Sequence, residues 1–187
     1  MLHQMLHLAL WSVALVTLVA SAWTDLRDRI IPNELAGLTA ACGIGLSLTL
    51  RPDETWIGML VAVLALVGLG VIAHYGAIGG GDVKLISAAT LLVPPAHIGQ
   101  LIAFIALSGG LLSCAYLLAR TMLRRSQAVA MLAEGDDGRE AGGWFSNECA
   151  RIATGGPMPY ALAILGGVAG TIAGELPQCL SASFCSF

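Results

Sequence analysis

Apolar residues run along this chain in long blocks separated by short polar segments, without the strict alternation of a half-buried strand. A helix that crosses the roughly 30 Å hydrocarbon core of a bilayer needs about 20 residues. The blocks predict helices over residues 6–23, 35–50, 56–73, 98–119 and 158–173. A further apolar run follows three glycines and ends at Val93, so we expect it to form a short fourth helix in the chain.

The predicted fold is all-α: a polytopic membrane protein with a bundle of about six transmembrane helices, forming one membrane-embedded domain over residues 1–187. The single long hydrophilic segment, residues 120–157, is predicted to be a cytoplasmic loop. Composition agrees, because 57% of the residues are apolar and 11% are charged, whereas globular domains have roughly 45–50% and 25%. A soluble domain of this length could not cover its surface with so few charges.

Charge and cysteine content narrow the partners. The net charge is −3 and no basic stripe is present, so we expect lipid around the chain and no nucleic acid. None of the five cysteines forms a CxxC pair, so we predict no metal site and no cofactor. A disulfide between Cys179 and Cys185 stays open, on the condition that the C-terminal end is periplasmic. No oligomeric state is predicted.

Lysine and arginine are distributed unevenly between the two sets of loops. The segments after the first, third and fifth helices contain Arg27, Arg29, Lys84, Arg120, Arg124 and Arg125, whereas the opposite segments contain Arg51. Because positively charged loops remain in the cytoplasm, the first set is predicted to be cytoplasmic.

Two acidic residues adjoin predicted helices at that cytoplasmic edge: Asp25 just past the first helix and Asp82 at the start of the fourth. Acids next to membrane helices are costly and suggest function. Two carboxyl groups held close share one proton, so the ionised one can activate a water while the protonated one donates to a carbonyl oxygen. Peptide hydrolysis by this route needs neither a metal nor a covalent intermediate.

Each acid also has a simpler interpretation. Asp82 can be a helix N-cap, since anionic side chains are favoured at helix N-termini. Asp25 can be a juxtamembrane charge paired with Arg27 or Arg29, and Asp28 is a rival for its role. The glycines before Asp82 are expected to allow positive φ angles and the close approach of another backbone.

Three segments resemble the signatures of the prepilin peptidases, which are aspartyl proteases of the GxGD class. Residues 24–33 resemble the first signature, in which an aspartate leads to Ile-Pro-Asn. Residues 79–85 match the second, GxGD followed by a short apolar helix, and residues 159–164 resemble the Pro-Tyr element that opens the last helix. The order and spacing agree over nearly the whole chain, and the family's first catalytic aspartate falls on Asp25 rather than Asp28.

The resemblance implies an endopeptidase of the bacterial inner membrane, with its active site facing the cytoplasm, that removes the leader peptide from prepilin. Asp25 and Asp82 are then the catalytic pair, and the substrate contributes a leader and an N-terminal hydrophobic helix. The chain begins directly at helix one without paired CxxC motifs, so it looks like the short form associated with Flp (type IVb) pili, and methyl transfer is not expected. Further residues implied to shape the loop or contact the substrate are Gly79, Gly81, Lys84, Arg27, Pro32 and Asn33.

Two other classes stay open. Presenilin-like GxGD proteases with broader substrates carry their first aspartate in a Tyr-Asp pair within a helix, whereas Thr24 precedes Asp25 here. A non-enzymatic transporter or pilus-assembly component would use the acids for ion binding. Such proteins place the binding site near the middle of the membrane and often show internal repeats, and this sequence has neither feature.

Overall fold

A computed structural model of the chain describes residues 2–76, 78–133 and 158–184, with side chains over 5–76, 78–122 and 158–174. Within these ranges the chain forms six α-helices, two short 3-10 turns and no strand. The prediction of an all-α fold with six helices is therefore confirmed. The helices are α1 (Leu2–Asp28), α2 (Asn33–Leu50), α3 (Thr55–His74), α4 (Gly80–Thr90), α5 (Ile98–Ala133) and α6 (Tyr160–Phe184).

In the part of the chain that the structure describes, three segments are long and apolar enough to cross a membrane: Met5–Asp28, Pro52–His74 and Pro95–Met122. Much of their surface lies outside the protein core, and α3 in particular exposes large apolar side chains such as Leu64 and Val67. Burying that surface in lipid removes it from water, which agrees with the predicted polytopic membrane protein. Helix α4 is short, as predicted, and its 11 residues are too few to span a bilayer.

Three helices extend beyond their predicted ends, and one of them is α6, which continues from Ala173 to Phe184. Helix α1 continues past Trp23 to Asp28, so Asp25 lies inside the helix and not in a polar segment after it. Helix α5 continues from Ala119 to Ala133, so the first part of the predicted loop 120–157 is helical. That part is rich in alanine, leucine, methionine and arginine, which favour helix even without an apolar stripe. The rest of the predicted loop, and the Cys179 and Cys185 side chains, lie outside the described residues.

The chain divides into two compact units, one of Met1–Gly109 with Pro159–Phe187 and one of Gly110–Met158. The first unit contains the core, in which α1 packs against α2 and α6, and α4 packs against α2, α3 and α6. Its centre is filled by apolar side chains with almost no exposure, among them Leu18, Leu46, Leu85, Leu92, Leu101, Ile164 and Val168. The single membrane-embedded domain over residues 1–187 stays a prediction.

Small residues bring helices close together in the first unit. A Cβ atom added at Gly43 of α2 would lie 2.6 Å from the Leu91 Cβ atom and 3.0 Å from the Leu91 carbonyl carbon, just after α4. In α6, a Cβ at Gly167 would lie 2.9 Å from the Ile105 backbone nitrogen. Membrane helices associate through such close backbone approaches, because lipid supplies little hydrophobic drive between them.

We expect Gly43→Ala to destabilise the protein and Gly37→Ala, in the same helix, to leave it near wild type. The added methyl group at residue 43 meets Leu91 backbone, which cannot move without shifting α4, whereas nothing lies within 4 Å at residue 37. Overpacking of this kind costs about 1–3 kcal/mol. The measurement is the thermal unfolding midpoint of each purified variant in detergent, and equal midpoints for the two variants would contradict the expectation.

Candidate active site

Asp25 lies in the last turn of α1 and is only 6% exposed. Its Oδ2 atom accepts a hydrogen bond of 2.9 Å from the backbone N–H of Ala161, the second residue of α6. The Arg29 guanidinium also interacts favourably with this carboxyl group. Burial disfavours a negative charge on Asp25, whereas these two partners favour it.

The turn after α1 depends on Arg29. Arg29 has a φ of 57°, in the left-handed region, and its N–H donates to the Asp25 carbonyl at 3.1 Å. A residue in this conformation commonly ends a helix and turns the chain away from the helix axis. The chain then reaches Pro32, whose carbonyl accepts the N–H groups of Leu35 and Ala36 at the start of α2.

Asp82 is the third residue of α4 and is half-buried. The N-cap of α4 is Gly79, so the interpretation of Asp82 as an N-cap is wrong. Asp82 instead lies within the first helical turn, where the free N–H groups still favour an anion. Burial, and secondarily the nearby Asp25 carboxylate, raise the pKa of Asp82 to about 6. Asp25 and Asp82, which are far apart in the sequence, are therefore close enough to interact.

The glycines before Asp82 provide room rather than unusual backbone angles. Gly79 has an extended conformation and Gly80 and Gly81 are helical, so the expected positive φ is wrong here; Gly76, with φ 78°, has it instead. A Cβ at Gly79 would lie 2.9 Å from the Asp82 Oδ2 atom, and one at Gly81 would lie 3.0 Å from the Ile31 Cβ atom. Gly79 thus makes space for the Asp82 carboxyl group, and Gly81 lets the segment between α1 and α2 approach α4.

Lys84 and Asn33 connect α4 to α2. The Lys84 Nζ atom donates to the Asn33 Oδ1 atom at 2.7 Å, near the N-terminal ends of both helices. Residues two positions apart on a helix point to different sides, so Lys84 and Asp82 do not share a face. The two residues also line a cavity of about 370 Å³ between α2, α3 and α4, whose other walls are mostly small and apolar. Lys84 is therefore placed to hold α2 against α4.

The other charged residues around α1 lie on the surface. The Arg27 and Asp28 side chains are 66% and 60% exposed, with 4.0 Å between the Arg27 Nε and Asp28 Oδ1 atoms. A pair with this geometry and exposure contributes little to stability. Arg27 pairs with Asp28, whereas the arginine that acts on Asp25 is Arg29.

Two features of this site were not anticipated from the sequence. The Pro-Tyr element at 159–160 correctly indicated the start of a helix, but nothing indicated that the Ala161 amide would bond to Asp25. The sequence offers Arg29 only as one of two charge partners for Asp25, beside Arg27. No group of three or more His, Cys, Asp or Glu side chains suited to a metal ion is found in the described part of the chain.

Burial disfavours the charge of both carboxyl groups, and Asp25 in addition has an amide donor and an arginine that favour its ionised form. A family model described as the type IV leader peptidase family matches residues 12–118, more than half of the chain, and the match includes Asp25 and Asp82. No curated protein and no solved structure matches the chain. This chain belongs to the type IV leader peptidase family.

Proposed function

We infer that the protein is a protease with a leader peptidase role from its membership of this family. We propose that it is an aspartyl endopeptidase that cleaves the leader peptide of prepilin-like precursors, with Asp25 and Asp82 as its catalytic pair. The observation that carries the proposal is the electrostatic interaction between these two buried or half-buried carboxyl groups, which come from separate helices. Such juxtaposition of like charges is costly and is typical of catalytic sites.

The proposed reaction uses one water and one proton shared by the pair. The Asp25 carboxylate accepts a proton from the water, whose oxygen attacks the carbonyl carbon of the scissile bond. The Asp82 carboxyl group donates its proton to the carbonyl oxygen, which gives a tetrahedral diol. Collapse of this diol breaks the C–N bond as Asp25 passes the water's proton to the departing amine and Asp82 recovers its own. The net change is one peptide bond and one water converted to a carboxyl group and an amine.

The proposed substrate is a prepilin of the Flp (type IVb) kind, which combines a polar leader with a hydrophobic helix. Three segments able to span a membrane would keep the enzyme in the lipid that also holds this substrate helix. The excess of lysine and arginine in the segments after α1, α3 and α5 supports a cytoplasmic position for the pair, in the bacterial inner membrane.

We expect Asp25→Asn and Asp82→Asn each to reduce cleavage by about 10²–10⁴-fold, because each removes one proton-transfer group. Asp28→Asn is the matched control, since its 60% exposed side chain lies on the surface. The variants would be co-expressed with a candidate prepilin at equal membrane levels, and leader removal followed by gel mobility and N-terminal sequencing. Cleavage by either folded, inserted active-site variant at the wild-type rate would overturn the proposal.

The pH dependence should show the loss of the Asp82 proton. Because Asp82 remains protonated up to about pH 6, we expect kcat/KM to fall above that pH as the general acid is lost. The decline should approach about tenfold per pH unit. The measurement is cleavage of a peptide substrate without ionisable groups beside the scissile bond by detergent-solubilised enzyme. A flat profile between about pH 5 and about pH 8 would argue against Asp82 as the acid.

Within the GxGD signature we expect the two first glycines to differ. Gly79→Ala places a methyl group 2.9 Å from the Asp82 Oδ2 atom, whereas nothing lies within 4 Å of a methyl group at Gly80. The displaced carboxyl group should lower kcat by about 10- to 100-fold in Gly79→Ala, and Gly80→Ala should retain wild-type kcat. The extended backbone of Gly79 accepts alanine, so strain is not the cause. Equal kcat values for both variants would contradict a carboxyl-specific role for Gly79.

A further inference from the structure

The first turn of α6 reaches Asp25 through a buried hydrogen bond. The Ala161 N–H donates to the Asp25 Oδ2 atom at 2.9 Å, across 136 positions of sequence. The first N–H groups of a helix have no acceptor within the helix and favour an anionic partner. A hydrogen bond to an ionised oxygen is stronger than one to a neutral oxygen. This contact therefore favours Asp25 as the ionised member of the pair.

The charges around Asp25 are few. On α4, the Asp82 carboxyl group disfavours a second negative charge at Asp25. Beyond the end of α1, the Arg29 guanidinium favours a negative charge at Asp25. From α2, Glu34 occupies an exposed position in the first turn. Helix α6 contributes no charged side chain over residues 160–174. The contribution of α6 to Asp25 is thus a backbone one, and its strength depends on where the helix begins.

The position of that first turn is fixed by contacts with α5. A Cβ atom at Gly109 would lie 3.2 Å from the Tyr160 Cε2 atom and 3.3 Å from its hydroxyl oxygen, so the ring lies directly against the glycine. The Ser108 hydroxyl donates to the Ala163 carbonyl at 2.6 Å, and Pro159 is fully buried. These contacts lie on both sides of Ala161 in the sequence.

We propose that the first turn of α6 is a positioning element for Asp25: the Ala161 amide holds one carboxylate oxygen, and Tyr160, seated on Gly109, fixes where that amide lies. The inference rests on the proposed function, because it concerns the same pair of aspartates. Tyr160 and Gly109 are positioning residues, because their proposed effect on Asp25 passes through this amide.

The test compares Gly109→Ala with Gly110→Ala. Both substitutions replace a glycine inside α5 and have the same effect on helix propensity. Only the methyl group at residue 109 meets the Tyr160 ring, whereas nothing lies within 4 Å at residue 110. Displacing the ring should weaken the bond from Ala161, which makes ionisation of Asp25 less favourable. In Gly109→Ala the acid-side limb of kcat/KM should move up by about one pH unit, a tenfold loss on that limb, and in Gly110→Ala it should not move.

A second readout is independent of catalysis. The infrared spectrum of the Asp82→Asn variant, minus that of the Asp25→Asn/Asp82→Asn double variant, isolates the carboxyl band of Asp25. When Gly109→Ala is added to the Asp82→Asn variant, the titration midpoint of this band should shift to higher pH. If an active Asp25→Asn enzyme showed that the two aspartates are not the catalytic pair, this titration could still be measured. The proposed function and the positioning role can therefore be refuted separately. Identical midpoints for Gly109→Ala and Gly110→Ala would overturn the positioning role.

A further pair of variants covers the case in which Gly109→Ala does not fold. Tyr160→Phe keeps the ring on Gly109 and should preserve the wild-type midpoint, whereas Tyr160→Leu removes the planar ring and should shift the midpoint as Gly109→Ala would. A simple loss of stability would lower activity at every pH without moving either limb. A midpoint in Tyr160→Leu equal to that in Tyr160→Phe would contradict the proposal.

Discussion

The carboxyl groups of Asp25 and Asp82 repel each other when both are ionised, yet they share one partly buried site. That site lies where α1, α4 and α6 meet, and its contacts must offset the repulsion. The fold makes the two groups unequal. Burial disfavours the charge on both groups, but Asp25 receives the Ala161 amide and the favourable charge of Arg29, whereas Asp82 has the negative charge of Asp25 beside it. With one group favoured as the anion and the other as the acid, the pair avoids the doubly ionised state at moderately acidic pH. In the proposed reaction, the same inequality would supply a base and an acid for hydrolysis.

Close approach of backbones makes this arrangement possible. Gly79 leaves room for the Asp82 carboxyl group, Gly81 admits Ile31, and Gly43 allows α2 to lie against Leu91. Interhelical polar contacts add specificity, as in the buried bond of 2.9 Å between the Thr17 and Thr39 hydroxyl groups. In lipid, where apolar side chains gain little by meeting each other, small residues and such bonds are the main means of holding helices in register.

Much of the fold could be predicted from the sequence, because long blocks of apolar residues directly indicate membrane helices. The number and order of helices, the short α4 and the proximity of Asp25 and Asp82 all follow from that pattern and its topology. The predicted end of α1 was wrong because the end of an apolar block marks where burial in lipid ends. The helix itself continues to the left-handed turn at Arg29. The positive φ expected in the glycine loop was wrong as well, since a glycine gives the same letter whether it permits positive φ or a close contact.

The hydrogen bond from the Ala161 amide to Asp25 could not be predicted from the sequence, for a more basic reason. Every residue except proline supplies the same N–H donor, so no letter at position 161 reports the contact. The family match over residues 12–118 includes both aspartates but ends before α6. In the proposal above, the sequence requirement falls instead on Tyr160 and Gly109, whose shapes hold the first turn of α6 in place. The site therefore combines two acids that a pattern can detect with a third element that only the fold makes apparent.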